Sequence, residues 1–246
     1  MCFSIAVDKN INKLSDYFGA MISAKDTNNL EKLFKLQDSS ELSKLEVQLG
    51  LKPATKKRKP PFHLPTEDGK IFPNYFTEVI VEEGDQRLIK PMRYRVRPNG
   101  SKEEIPTKFN VFNARIDSLE TAKIWQPLFM RQHGIVPFVK FFEWVPGPDG
   151  KPKLISFYPE GREIMWAACL WDEWVSKDGA VHFESFAIVT DDPPKEISIM
   201  GHDRCPIFLK DDYINKWLNP SQHSKEEMYK ILKEKEKVRF RYDWVL

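Results

Sequence analysis

Between residues 71 and 200 the chain runs through nine short apolar or alternating stretches separated by turn-forming residues. They cover 75–81, 87–94, 109–112, 134–136, 139–145, 153–158, 165–174, 182–189 and 197–200. Strands in such long succession, with few helical periods between them, predict an α+β fold. Its core is expected to be a mainly antiparallel, barrel-like β-sheet with peripheral helices. The 18 prolines and the 13% aromatic content point the same way, because proline interrupts helices and aromatic rings favour pleated surfaces. The turn PGPDGKP at 146–152 predicts a hairpin, since Asp-Gly supplies the positive φ a tight turn needs.

Helical spacing lies mostly on the flanks. The opening MCFSIAV reads as a buried strand, after which Ile11, Leu14, Phe18, Met21 and Ile22 recur at helical intervals. Further helices are expected over 30–36 and 41–49, the latter stopped by Gly50, and over 119–126, 211–218 and 225–235. The segment KPATKKRKPP at 52–61 is a basic, proline-bounded loop, either a solvated surface or a phosphate-contacting patch. At 246 residues one domain spanning 1–246 is expected, with 20–61 as a helical and basic-loop elaboration.

Thirty-eight basic and 36 acidic side chains leave a net charge of +2, so any affinity for a polyanion must come from a local patch. Three cysteines (Cys2, Cys169 and Cys205) with no CxxC pair form neither a disulfide framework nor a zinc site. No stretch reaches the roughly 18 apolar residues of a membrane span, and no secretory leader is visible. A cytoplasmic monomer without cofactor or membrane partner is expected.

Five residues invite chemistry. Removal of the initiator methionine requires a small second residue, and Cys2 qualifies. Processing leaves an α-amine, of pKa about 7.7–8.0, and a thiol on one residue. Such an aminothiol condenses with an aldehyde to a Schiff base and closes to a thiazolidine. The thiol alone is an acyl-transfer nucleophile, and a buried structural cysteine is the remaining reading. Asn113 and Arg115 stand two apart at the end of an apolar stretch and share a face. The amide can orient a nucleophile and the guanidinium can fork onto a phosphate; a helix cap beside a surface arginine is the alternative. Glu143 sits within VPFVKFFEWVPG, and a carboxylate among apolar neighbours suits proton transfer, unless it forms a structural salt bridge. His202, in MGHDRCPIFL, is a loop imidazole between apolar runs, either a proton shuttle or a surface histidine.

Taken in order, these segments resemble the SOS response-associated peptidase (SRAP) family. The resemblance rests on the Met-Cys start, PMRY at 91–94, Asn-Ala-Arg at 113–115, FFEW at 141–144, ACLW at 168–171, FAIVTDD at 186–192 and His-Asp-Arg-x-Pro at 202–206. It implies a DNA-damage-response protein that crosslinks through Cys2 to abasic sites in single-stranded DNA. It further implies that Asn113 positions the amine, Arg115 holds the phosphate beside the lesion, and Glu143 and His202 move protons. Pro73 and Asn74 match the family's loop at the DNA groove, and Thr190 its threonine near the site. The sequence departs from the family at Phe3-Ser4, where Gly-Arg is usual, and at Arg93-Tyr94-Arg95, where Arg-Trp-Gly is usual. It also has Cys205 in place of methionine and Lys140 in place of glycine. On alternation, Arg93, Arg95 and Arg97 share a strand face and are expected to offset the missing arginine, with Tyr94 replacing a stacking tryptophan. The rival readings are a cysteine peptidase that processes its own N-terminus and a non-catalytic single-stranded DNA binder.

Overall fold

A computed structural model describes residues 3–51, 60–147 and 149–245. Cys2 and residues 52–59 of the basic loop lie outside the described residues. Twelve strands run in chain order: β1 (Ser4–Val7), β2 (Met21–Ile22), β3 (Lys70–Ile71), β4 (Phe76–Glu83), β5 (Gln86–Tyr94), β6 (Asn113–Arg115), β7 (His133–Pro146), β8 (Pro152–Pro159), β9 (Met165–Val175), β10 (His182–Asp191), β11 (Cys205–Pro206) and β12 (Phe240–Trp244).

Five of them close a ring in which β4 pairs β5, β5 pairs β10, β10 pairs β9, β9 pairs β7 and β7 returns to β4. Only the β5–β10 contact within this ring is parallel. Alternate residues face inwards, so Val79, Val81, Phe138, Ala167, Cys169 and Ile188 fill the centre. The centre is narrow at Gly134, where a Cβ would stand 2.9 Å from Val79 and 3.0 Å from the Cys169 sulfur. The residues between them face outwards. Ile80, Ile135, Leu170 and Val189 pack beneath Leu14, Trp217 and Leu232. Phe76, Trp174 and Phe183 pack beneath Leu33 and Leu45.

Seven of the nine expected stretches lie in strands, with 134–136 and 139–145 joined in β7, and the expected β7–β8 hairpin forms with Gly150 at φ 73°. The helices differ in detail. Helix α1 (Ile11–Phe18) ends at Gly19, which adopts φ 58°, so Met21 and Ile22 leave the helical path and pair with β5 as a strand. Helices α2 (Ala24–Gln37) and α3 (Leu42–Gln48) cover the stretches expected to be helical at 30–36 and, but for its ends, 41–49. The stretch at 119–126 is a chain of turns rather than a helix, and Pro127, which has no N–H, follows it. Residues 109–112 form no strand; pairing begins at Asn113. Residues 197–200 are likewise no strand: Pro194 caps the one-turn helix α4 (Lys195–Ser198), and Ile199 is 70% exposed. Towards the C-terminus, α5 (Ile214–Leu218) and α6 (Lys225–Lys233) cover the outer face, the latter opened by a Ser224–Glu227 capping box.

Candidate active site

Strand β7 is long enough to serve two structures. Its first half belongs to the ring. Beyond Phe138 it runs clear of the ring and pairs with β1 on one edge and β8 on the other. Glu143 lies on this second half, opposite Ile155, and is buried. His202 reaches it from the loop between α4 and β11, turned at Gly201 (φ 85°) and pinned by the pairing of Cys205 with Asp191. The imidazole Nε2 stands 3.0 Å from Glu143 Oε2, and both side chains are only 7% exposed.

The tautomer follows from the other ring nitrogen. His202 Nδ1 is 2.7 Å from the Arg204 carbonyl oxygen and 3.3 Å from the Arg204 N–H. The shorter contact requires a donor, so Nδ1 carries a proton. With Nδ1 as a donor, a hydrogen bond between Nε2 and Glu143 Oε2 needs one further proton, carried by either the imidazole or the carboxyl.

The start of the described chain runs to this pair. Ser4 on β1 is the register partner of Phe142, the residue before Glu143. The Phe3 ring makes edge contacts with Phe72 and Phe112, at 5.9 Å each, and Phe112 precedes Asn113. Asn113, on β6, is itself buried and pairs in parallel with Ile188. Cys2 precedes these residues but lies outside those described. The two other cysteines, Cys169 and Cys205, are buried, and burial pushes both thiols well above the range of a useful nucleophile.

The C-terminal end of β10 organises the exposed rim. Thr190 pairs with Arg115 on one side and Pro206 on the other. Its hydroxyl is buried and has no hydrogen-bond partner among the described residues. Arg115 is half exposed and held by Asp117 through an Nε–Oδ1 bond of 3.0 Å. Arg204, absent from the sequence-based set, donates to Asp192 at 2.8 Å. Its signal was the His-Asp-Arg motif itself, but only the β10–β11 pairing brings it to the Thr190 end. Two lysines were also missed. Lys70 and Lys140 both stand opposite Ala6, one on each strand flanking β1, with the Lys70 ammonium 3.8 Å from the centre of the Phe142 ring. Burial lowers the Lys70 pKa and the charge of Lys140 lowers it further.

Pro73 and Asn74 lie on the turn before β4, where Asn74 adopts φ 77° and its N–H bonds the Tyr94 carbonyl at 2.8 Å. The strand face expected to carry free cations is arranged differently. Arg93, Arg95 and Arg97 are buried at 1%, 4% and 0% exposure, and all three ion-pair with Glu104. The cost of desolvating them is offset by that carboxylate, by the carbonyls of Leu49 and Ile105, and by ring faces: Arg97 lies 3.6 Å from the centre of Trp174 and Arg93 4.7 Å from Phe183. Tyr94 points the other way, into the ring, stacked on Phe186 at 5.2 Å and fully buried. Neither the arginines nor the tyrosine ring forms a solvent-facing rim in this structure.

Comparison with known proteins follows the same outline. Over 178 residues the chain is 22% identical to the abasic site processing protein HMCES of Gallus gallus, covering 64% of this chain and 53% of that relative. It is 24% identical over 163 residues to the abasic site processing protein YoaM of Bacillus subtilis, covering 66% and 70%. Thus the match spans about half the length of the chicken relative and more of the bacterial one. A crystal structure of a Bacteroides thetaiotaomicron protein superposes with a TM-score of 0.68 at 20% identity, covering 100% of this chain and 92% of the other. One from Bordetella bronchiseptica gives 0.67 at 18% identity, with 100% of both chains covered. These likenesses support the fold, and the profile of the SOS response associated peptidase (SRAP) family matches residues 1–245. The chain belongs to that SRAP family.

Proposed function

We propose that this chain is an abasic-site processing protein that bonds covalently, through processed Cys2, to abasic sites in single-stranded DNA. The observation that carries the reading is the sealed Glu143–His202 pair beside the register position from which β1 leads back to residue 2. In the reaction the α-amine adds to the C1′ aldehyde of the ring-opened sugar. Glu143 protonates the departing hydroxyl, which leaves as water, and a Schiff base remains. The thiol then adds to the imine carbon while its proton passes to the nitrogen, closing a thiazolidine. The carbinolamine nitrogen gives up its remaining proton as the imine forms, and that proton passes through His202 Nε2 back to Glu143, resetting the pair. Asn113 orients the amine, and Arg115 with Thr190 holds the phosphate beside the lesion. Arg204 and the Lys70–Lys140 pair supply cations that Ser4 does not. Pro73 and Asn74 border the strand's path. Relatives bearing the name abasic site processing protein support the substrate class.

The test is intact mass and gel analysis of the protein with an abasic oligonucleotide. A stable adduct is expected in the parent chain and none in Cys2→Ala. Glu143→Gln should slow its formation about 100-fold, the scale of a lost general acid–base. Peptide turnover without a DNA adduct would establish the peptidase reading instead. Equal retention of DNA by parent and Cys2→Ala, with no covalent band, would establish the non-catalytic binder.

A further inference from the structure

Two of the three arginines on and after β5 border a cavity of about 650 Å³, within the range of small-molecule sites. It opens between α3 and the loop joining β5 to β6, on the face of β5 opposite the ring interior. Arg93 and Arg95 line it, each more than nine-tenths buried, together with Glu104. Leu49, Phe62 and Ile105 supply apolar walls. Asn74 lines it as well, and that residue ends the Phe72–Asn74 turn whose Phe72 ring touches Phe3. The cavity therefore adjoins the path between the chain start and the helical elaboration.

The cavity lining holds two arginines and three carboxylates, and the cations are gathered around one of those carboxylates, Glu104. Three guanidinium groups converge on a single carboxylate, and the charge of Arg93 depresses both Arg95 and Arg97 on top of their burial. Glu46 and Glu103 also line the cavity, but neither is ion-paired with an arginine among the described residues. Glu104 receives two donors from Arg93, at 2.6 and 3.3 Å, and one from Arg95 at 3.1 Å. That forked geometry is the one in which guanidinium groups take a phosphate. Glu104 arrives on a loop of turns and bends rather than on a strand or helix, and the next residue but two, Thr107, is exposed.

We propose that this cavity is a phosphoryl-binding site, in which a phosphate monoester or diester displaces Glu104 from Arg93 and Arg95. The carboxylate is the internal counter-ion that holds the arginines charged and buried until the ligand arrives. The two other wall carboxylates, Glu46 and Glu103, oppose a polyphosphate and favour a single phosphoryl group, with the apolar walls accepting the body attached to it. The proposal goes beyond the crosslinking reading and stands without it, because the Cys2→Ala chain retains every residue of the pocket.

The experiment uses the full-length Cys2→Ala chain, with inorganic phosphate titrated at ionic strength held constant by chloride. Saturable binding, followed by calorimetry and by the rise in Tm, is expected. Glu104→Gln should bind phosphate at least fivefold more tightly, because the internal competitor loses its charge. Thr107→Glu, an exposed position that leaves the core intact, should bind at least fivefold more weakly. An unmodified single-stranded oligonucleotide then separates the sources of the phosphoryl group. If Thr107→Glu weakens the oligonucleotide in parallel and phosphate competes with it, the ligand is a strand phosphate. If phosphate binding falls while oligonucleotide binding holds, the ligand is a free monoester. Absence of saturable phosphate binding at matched ionic strength, or equal binding by the parent and Thr107→Glu, overturns the proposal.

Discussion

Two charge clusters of opposite composition lie along β5 and the segment that follows it. At Lys90 one ammonium faces three carboxylates: Glu184 on β10, Glu83 on β4 at 2.6 Å and Asp26 on α2 at 3.3 Å. A few residues on, one carboxylate, Glu104, faces three guanidinium groups. Both clusters are buried and both bind the helical elaboration to the ring, the first through Asp26 and the second through the Leu49 carbonyl. They differ in how they answer to pH. Burial alone would lower the Lys90 pKa, but Glu184, Glu83 and Asp26 reverse this and hold it above the ordinary lysine value. Burial pushes Glu184 up to about 7, with Asp26 and Glu83 adding repulsion against the opposing pull of Lys90. An excess of carboxylates can shed charge by taking up a proton near neutrality, whereas an excess of guanidinium groups cannot.

The sharpest way to break the comparison is Lys90→Met. Two buried carboxylates, Asp26 and Glu184, and the exposed Glu83 would lose the cation they share, and a loss of about 3–5 kcal/mol is expected in denaturant unfolding at pH 8. Protonation should return part of it, so the loss should shrink at pH 5. Glu104→Ala is next, at about 2–4 kcal/mol, the scale for breaking a buried ion pair. Its loss should be the same at pH 6 and pH 8, because arginine does not titrate there.

Glu184→Gln is the smallest change and reports the pH dependence alone. A carboxyl whose folded pKa is raised ionises first in the unfolded chain. As pH climbs from about 4.5 to 7 the unfolded state therefore gains, and stability falls. The substitution should remove about 1–3 kcal/mol of that fall. If the two stability–pH curves keep the same slope between pH 5 and 7, Glu184 is not the titrating group.

The same contrast explains what could be read in the sequence. Alternation correctly put Arg93, Arg95 and Arg97 on one face, yet it cannot say whether a face meets solvent or a neighbouring segment. Here the neighbour is Glu104, on a loop without periodicity, and the helical elaboration that seals it. Glu143 was legible because a carboxylate inside VPFVKFFEWVPG contradicts its surroundings, and a contradiction of that kind marks a site. Its pairing with His202 was not legible, because 59 residues separate them and only the β10–β11 contact closes the gap. Residues 197–200 misled for a local reason. Apolar residues in a four-residue window fit either period, and Pro194 decided for a helical turn.

The ring also sets an order of events during synthesis. Strand β10 pairs with β5, β6, β9 and β11, and so closes a structure begun almost a hundred residues earlier. Contacts between such distant segments form slowly, because loop closure must precede any gain from pairing. A nascent chain that has exposed its first 180 residues to the cell therefore has Asn113 without its parallel neighbour and Glu143 without the imidazole of His202. The Glu143–His202 pair comes together only when residues 182–206 have been made and docked, so a chain that ends before them lacks it.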